Sequence, residues 1–594
     1  MPTRDTLGRH LRAMVMLAPG PTRLLPATKA AITVLLCLGI PTASGRLDLG
    51  LLAVTGTFAV LYAPGAPLRR RAATVAGIGA GLVGSAALGA CTAASPALFA
   101  AAAVVLSMTA AGLSLALRVG PPGSYFLVLV AGIAHYLVAA HGTAPVHVVG
   151  MTAVGATVAL VVTLLDLAPD PRRPERAAVD AATRTVEDYA ATPPGPEGRP
   201  LHRAAALALA AAEEAVAEGA RPVDPVMADR LERARRGYEQ RAARPTAHFL
   251  PGGDLPWDAH NPDAGRWLDP AHEAGADEVD LPDAAAARRA GRALAADERR
   301  HIRSLRRRLG DGLRYPGEPW IVAAAVGVAT TASILVLTAI AGPGQAHLYW
   351  AIAFSALVLH QGGPRVTRTY RAVHRLVGTL AGLGVFLVLA SLRPSGWWVV
   401  AVVVAFQFVI ELLVARNYGL AVMLITPLAL LVSTGGRLDG EPWGLVGERL
   451  LNTVVGVVVA LVVLWTTGRR APHRAVWGDT RRVLVELAEV ERGRGQSATE
   501  PTLASALRDL HTSAALLAAD GHRDAPEART AETVVHAGFL VLGAADPRAV
   551  AAAAGGWGEL AEAPLPSGRT AVADDHPADE AIREACARVG GREL

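Results

Sequence analysis

The chain has 594 residues, 52% hydrophobic and only 18% charged, with 57 Lys plus Arg against 52 Asp plus Glu and a formal net charge of +5. A soluble domain carries about 25% charged residues, so the deficit excludes one water-exposed globule and points to segments held in lipid. Lys29 is the only lysine and stands between Thr28 and Ala30, which excludes a P-loop nucleotide site built on G-x-x-x-x-G-K-[ST]. Cys37, Cys91 and Cys586 are too scattered for a CxxC metal site or a disulfide framework.

A hydrocarbon core of about 30 Å takes roughly 20 helical residues. Six apolar runs of suitable length open the chain, near Leu24 to Ile40, Leu47 to Ala63, Ala72 to Leu88, Ala97 to Leu117, Ser124 to Ala140 and His147 to Leu167. Lys29 interrupts the first, and no small-residue cleavage site follows it, which argues against a signal peptide. Residues 169–319 then turn polar. Helical spacing marks Glu175 to Tyr189, His202 to Glu218, Pro225 to Ala242 and Ala284 to Leu309, while Arg244 to Pro282 is Pro, Gly and Asp rich and reads as a loop. Six further apolar runs follow, near Trp320 to Ala341, His347 to His360, Leu376 to Ser391, Trp397 to Val414, Leu420 to Val432 and Gly447 to Thr467. The tail, residues 468–594, again reads as helices.

The expected fold is therefore all-α and polytopic: a cytoplasmic N-terminus over 1–23, six-helix units over 24–168 and 320–467, and a helical cytoplasmic domain after each. Arginines cluster on alternate connections, such as Arg69 to Arg71, Arg172 to Arg176, Arg365 to Arg371 and Arg469 to Arg474, which places both termini in the cytoplasm. Trp320, Trp350, Trp397, Trp398, Trp443 and Trp465 fall at predicted helix ends, where interfacial belts form. At one constant offset Arg70, Gly77 and Gly81 superpose on Arg371, Gly378 and Gly382, and Thr152 and Gly155 on Thr453 and Gly456. Units with an even number of spans enter and leave on one side, so the expected repeat is parallel.

Polar groups at membrane depth are costly, so each is a functional candidate. Lys29 lies in the first span, His135 in the fifth, Glu411 in the tenth, and Arg449 with Asn452 open the twelfth on one helix face. Arg371 and Arg70 read as a cationic mouth that attracts an anionic solute, or as plain positive-inside anchoring. The fifth span starts at Gly120-Pro121-Pro122-Gly123-Ser124-Tyr125; the eleventh starts at Arg416-Asn417-Tyr418 and is broken at Thr426-Pro427. Such breaks at matching places favour anions through free backbone N–H groups, or are plain turns. Glu411 and His135 are candidate proton carriers, each with a bland reading as a paired or packing residue. The glycine ladders Gly77, Gly81, Gly84 and Gly378, Gly382 read as close packing. His248, His260 and His272 among aspartates could bind a metal, but the reading weighs against it, and no metal and no cofactor is expected.

Arg371-Ala-Val-His-Arg375-Leu-Val-Gly378-Thr379-Leu-Ala-Gly382, the Tyr418 to Pro427 stretch, Arg449-Leu-Leu-Asn452-Thr-Val-Val-Gly456 and Pro121-Pro122-Gly123-Ser124-Tyr125-Phe126 resemble the FUSC family of fusaric acid resistance and aromatic acid exporter proteins. The first unit departs from the pattern, with Thr74 opposite Arg375 and Val148 opposite Arg449. The resemblance implies a multi-pass protein of the bacterial inner membrane, no enzyme, that exports aromatic or other organic acid anions. The expected path runs along the seam between the units past Arg371, Arg375, Arg449, Asn452, Asn417, Tyr418, Tyr125 and Lys29. An uncoupled anion channel and a membrane-anchored scaffold are the alternatives. The partners expected are a small organic anion and the lipid bilayer, without nucleic acid; self-association into a homo-oligomer is open.

Overall fold

The computed structural model describes residues 23–192, 198–219, 222–242, 313, 318–342, 347–360, 365–434, 442–467, 471–493, 500–518, 520, 525–543, 547–563 and 577–591. Among them every regular element is helical. A helix stands at each of the twelve apolar stretches. The first set is α1 (Leu24–Ala43), α2 (Leu47–Thr57) with a 3-10 turn over Phe58–Leu61, α3 (Leu68–Cys91), α4 (Pro96–Ala116), α5 (Tyr125–His141) and α6 (Pro145–Leu165). Between the sets lie α7 (Arg173–Ala191), α8 (Gly198–Ala217) and α9 (Pro225–Ala242). The second set is α10 (Glu318–Ala341), α11 (Tyr349–Leu359), α12 (Arg365–Leu392), α13 (Trp397–Leu413), α14 (Tyr418–Ser433) and α15 (Pro442–Thr466). The tail gives α16 (Ala471–Glu491), α17 (Glu500–Leu517), α18 (Pro526–Gly543), α19 (Pro547–Ala554), α20 (Trp557–Glu562) and α21 (Pro577–Gly591). The loop expected over Arg244 to Pro282 and the helix expected over Ala284 to Leu309 lie outside the described residues.

Seven of the twelve helices are long and apolar enough to cross a bilayer, and α2, α5, α11, α13 and α14 are shorter, at 10–17 residues. In α11 the short length goes with burial. All eleven residues of α11 are buried, so this helix meets other helices on every side and has no lipid thickness to match. The long helices instead show apolar side chains outward: Ile40 on α1, Val105 on α4, Val146 on α6, Leu335 on α10, Leu392 on α12 and Val462 on α15 are all more than half exposed. A belt of that kind faces acyl chains, since in water it would be an aggregation surface. The protein is a multi-pass membrane protein.

Two compact units form. One comprises Met1–Arg173, Arg303–Ala475 and Leu516–Arg523, and holds both membrane sets; the other comprises Pro174–Ile302, Val476–Ala515 and Asp524–Leu594. In the membrane unit the two sets use the same pairings. The third helix packs on the fifth and sixth, the second on the sixth, and the first on the second and sixth, in each set. Across the sets α10 packs on α4 while α13 packs on α1, a reciprocal exchange of first and fourth helices. α11 also packs on α5. In the other unit α9 packs on α8 and α18, and α18 on α21.

Small residues set the close approaches. A Cβ on Gly378 would stand 2.5 Å from the Gly419 carbonyl, and one on Gly382 2.7 Å from the Met423 carbonyl, so the glycines of α12 let α14 lie against the backbone. Pro427 does not break α14, which runs through it. It does deprive the Met423 carbonyl of its N–H partner four residues on, and that freed oxygen is the one lying against Gly382. In the first set Gly81 has Leu127 at 3.0 Å, whereas Gly77 and Gly84 have nothing within 4 Å. The ladder reading thus fails for those two, which face away from any helix. Gly77→Ala is expected to leave the melting temperature unchanged or raise it by up to about 1 kcal/mol equivalent, as a helix-interior glycine gives way to alanine. Gly132→Ala is expected to lower it by about 1–3 kcal/mol equivalent, since a Cβ there overlaps the Tyr349 ring of α11. Thermal unfolding of the purified variants checks both.

Candidate functional site

Arg375 is the eleventh residue of α12 and Arg449 the eighth of α15, so they lie roughly 15 and 10 Å along the axis from the N-termini of their helices. Both are 1% exposed. Both approach Phe354 of α11, whose ring centroid is 4.4 Å from the Arg375 guanidinium carbon and 4.7 Å from that of Arg449. The Arg449 guanidinium carbon also lies over Trp350, one turn earlier on α11, 3.2 Å from the ring centroid. The face of Tyr125 is 5.7 Å from Arg375. The two buried cations are thus held by aromatic faces, where a desolvated cation–π contact is worth about 2 kcal/mol.

Their hydrogen bonding is one-sided. Nη2 of Arg375 donates to the Tyr125 hydroxyl at 3.1 Å, and the Tyr418 hydroxyl also bonds this guanidinium. Nε of Arg375 has no partner, and neither has Nε, Nη1 or Nη2 of Arg449. Nε1 of Trp350, Oγ of Ser124 and Oγ1 of Thr379, one turn on from Arg375, are buried and unpaired as well. Every unpaired nitrogen here is a donor and the two hydroxyls can donate too, so what satisfies them is rich in acceptors. Tyr125 and Tyr418 are the first residues of α5 and α14, and helix N-termini add positive potential. Asn452, one turn on from Arg449, donates Nδ2 to the Glu448 carbonyl at 2.7 Å and keeps a buried Oδ1 without a partner.

Glu448, the acid beside Arg449 in sequence, does not neutralise it. Its carboxylate meets Nδ1 of His347, just ahead of α11, and the imidazole lies 4.2 Å from the Tyr136 ring of α5. The other candidates lie elsewhere. Lys29 donates to Asp166 Oδ2 at 3.1 Å, where Arg71 at 3.0 Å and Arg173 at 2.9 Å converge on the same oxygen. Glu411 pairs with Arg23 at 3.0 Å. His135 stacks on Phe99 at 4.0 Å. Asn417 is the N-cap of α14, accepting from the Leu420 N–H at 3.2 Å. Arg371, one turn from Arg375 on α12, is half-buried with an unpaired Nη1. His248, His260 and His272 lie outside the described residues, and among the described residues no three metal-ligating side chains cluster.

The segment leading into α5 is fixed from both sides. The Tyr62 hydroxyl donates to the Gly123 carbonyl at 2.6 Å, and Nε2 of His360, which follows α11, donates to the Pro122 carbonyl at 2.8 Å. Gly123 has φ 67°, a left-handed backbone that suits glycine. This places Tyr125 beside Arg375. Sequence reasoning missed Trp350 and Phe354, and put Trp350 in the interfacial belt. Trp320, Trp397, Trp398, Trp443 and Trp465 are exposed, but Trp350 is fully buried beneath Arg449. The available signal was Trp350 and Phe354 four residues apart on one face of α11.

Fold and site together define a multi-pass membrane protein with a buried cationic, aromatic-walled centre. Residues 328–463 match the family described as fusaric acid resistance protein-like, and that stretch contains every residue of the centre except Tyr125 and Ser124. The FUSC resemblance read from the sequence is thereby matched over the second membrane set. The uncharacterized membrane protein YvaC of Bacillus subtilis (strain 168) is 30% identical over 125 residues, which is 20% of this chain and 20% of that protein. The chain thus aligns with about a fifth of the relative's length. No solved structure matches.

Proposed function

We propose that this protein is a transporter of the bacterial inner membrane that moves organic acid anions outward, with its termini in the cytoplasm and two parallel six-helix repeats around the path. The reading is carried by Arg449: a fully buried guanidinium with no hydrogen-bond partner on any of its three nitrogens. Such a charge is costly to fold around and makes sense where an anion completes it. Aromatic walls beside it suit an organic rather than a purely inorganic anion. The fusaric acid resistance-like match over residues 328–463 supports the same class.

Export is tested by loading cells that carry or lack the protein with a panel of labelled aromatic and aliphatic acids. Cells with the protein are expected to retain less of at least one acid and to lower it below its equilibrium distribution. Equal retention across the panel contradicts export. Loss that stops at equilibrium assigns an uncoupled channel, and retention of the cellular phenotype by an Arg449→Ala variant assigns a scaffold.

A further inference from the structure

We infer that the centre takes a dianion, in the chemical class of a small planar dicarboxylate, and discriminates against the monocarboxylate of the same ring; this rests on the organic-anion reading above. Arg375 and Arg449 approach the one Phe354 ring at 4.4 and 4.7 Å, so their separation cannot exceed the sum of those distances, a span that one small molecule bridges. Both are fully buried and both keep unpaired nitrogens, Nε on Arg375 and Nε, Nη1 and Nη2 on Arg449. Guanidinium groups do not shed their proton in proteins, so the centre carries two fixed positive charges.

Among the described residues no carboxylate offsets them. Glu448 is engaged by His347, Glu411 by Arg23, and Asp166 by Lys29, Arg71 and Arg173. Tyr125 and Tyr418 give Arg375 hydrogen bonds but no charge, and the remaining neighbours are aromatic faces. One bound carboxylate therefore neutralises one guanidinium and leaves the second as a lone cation in a low dielectric. A second carboxylate on the same ligand removes that penalty, and forked hydrogen bonds to each guanidinium fix its orientation. The flat rings of Phe354, Trp350 and Tyr125 favour a ligand whose body is flat as well.

The experiment is calorimetric titration of the full-length protein in lipid nanodiscs with benzoate, phthalate, isophthalate and terephthalate at neutral pH, where each carboxyl group is ionised. At least one dicarboxylate is expected to bind roughly tenfold or more tightly than benzoate. Arg375→Gln is expected to close that gap by weakening the dicarboxylate while benzoate holds or improves, and Arg375→Lys to keep a gap. Benzoate binding as tightly as all three dicarboxylates overturns the inference, as does an Arg375→Gln variant that weakens both anions by one common factor. Should that variant not fold, the wild-type comparison alone decides. Binding of none of the four counts against the organic-anion reading itself, whereas equal binding of mono- and dicarboxylates counts only against the dianion.

Discussion

Arg449→Met is expected to abolish export and, at the same time, to raise the melting temperature of the ligand-free protein. An uncompensated buried charge costs on the order of 3–5 kcal/mol. The Trp350 and Phe354 faces, at 3.2 and 4.7 Å, return about 2 kcal/mol of that through cation–π attraction. Methionine fills much of the same volume and brings no charge, so the balance favours the variant by about 1–3 kcal/mol. Loss of function with gain of stability separates a binding residue from a structural one. A destabilised Arg449→Met protein would show that the arginine is held by interactions other than those described, and that the centre is complete without a ligand.

Asp166→Asn is expected to do the reverse. Asp166 is a buried carboxylate that accepts from Lys29, Arg71 and Arg173 on one oxygen, and Lys29 and Arg71 are themselves buried. Arg71 spends its other nitrogens on the Pro64 and Ala66 carbonyls. Removing the carboxylate on which Lys29 and Arg71 converge strands two buried cations, at a cost on the order of 3–5 kcal/mol. The variant should lose several degrees of thermal stability and much of its yield in mild detergent, and Lys29→Met on the same background should recover part of the loss. An Asp166→Asn protein as stable as the wild type would show that these cations are solvated rather than paired. Arg71 and Arg449 are equally buried arginines, and what divides them is whether the fold supplies the anion.

That division explains how far the sequence could be read. Apolar run length is a local property, so the twelve helical stretches and the polar segment between them were legible residue by residue. Arg449 was legible too, because a guanidinium inside an apolar run is conspicuous whatever surrounds it, and Arg375 stood at the edge of the run from Leu376. Partners were not. Lys29 was grouped with the path, yet its acceptor Asp166 lies 137 residues away at the C-cap of the helix that closes the first set, and the packing of α1 on α6 joins them. Glu411 and His135 were marked as proton carriers for the same reason, before Arg23 and Phe99 came to stand beside them. Trp350 was read from its place at a helix end, a rule that holds for helices in lipid and fails for α11, which is enclosed by other helices along its whole length. Pro427 was read as a break because its missing N–H is local, while the glycine that accommodates the freed carbonyl sits on another helix.

The central claim is that an anion supplied from outside the chain completes the centre at Arg449. Ligand-dependent thermal unfolding of the purified protein tests it most directly, because a molecule bound only by the native state stabilises it by about 2.7 kcal/mol at a hundredfold excess over its dissociation constant. The account predicts that an organic acid identified by export raises the melting temperature of the wild type and leaves that of Arg449→Met unmoved. An equal rise in both proteins would contradict it.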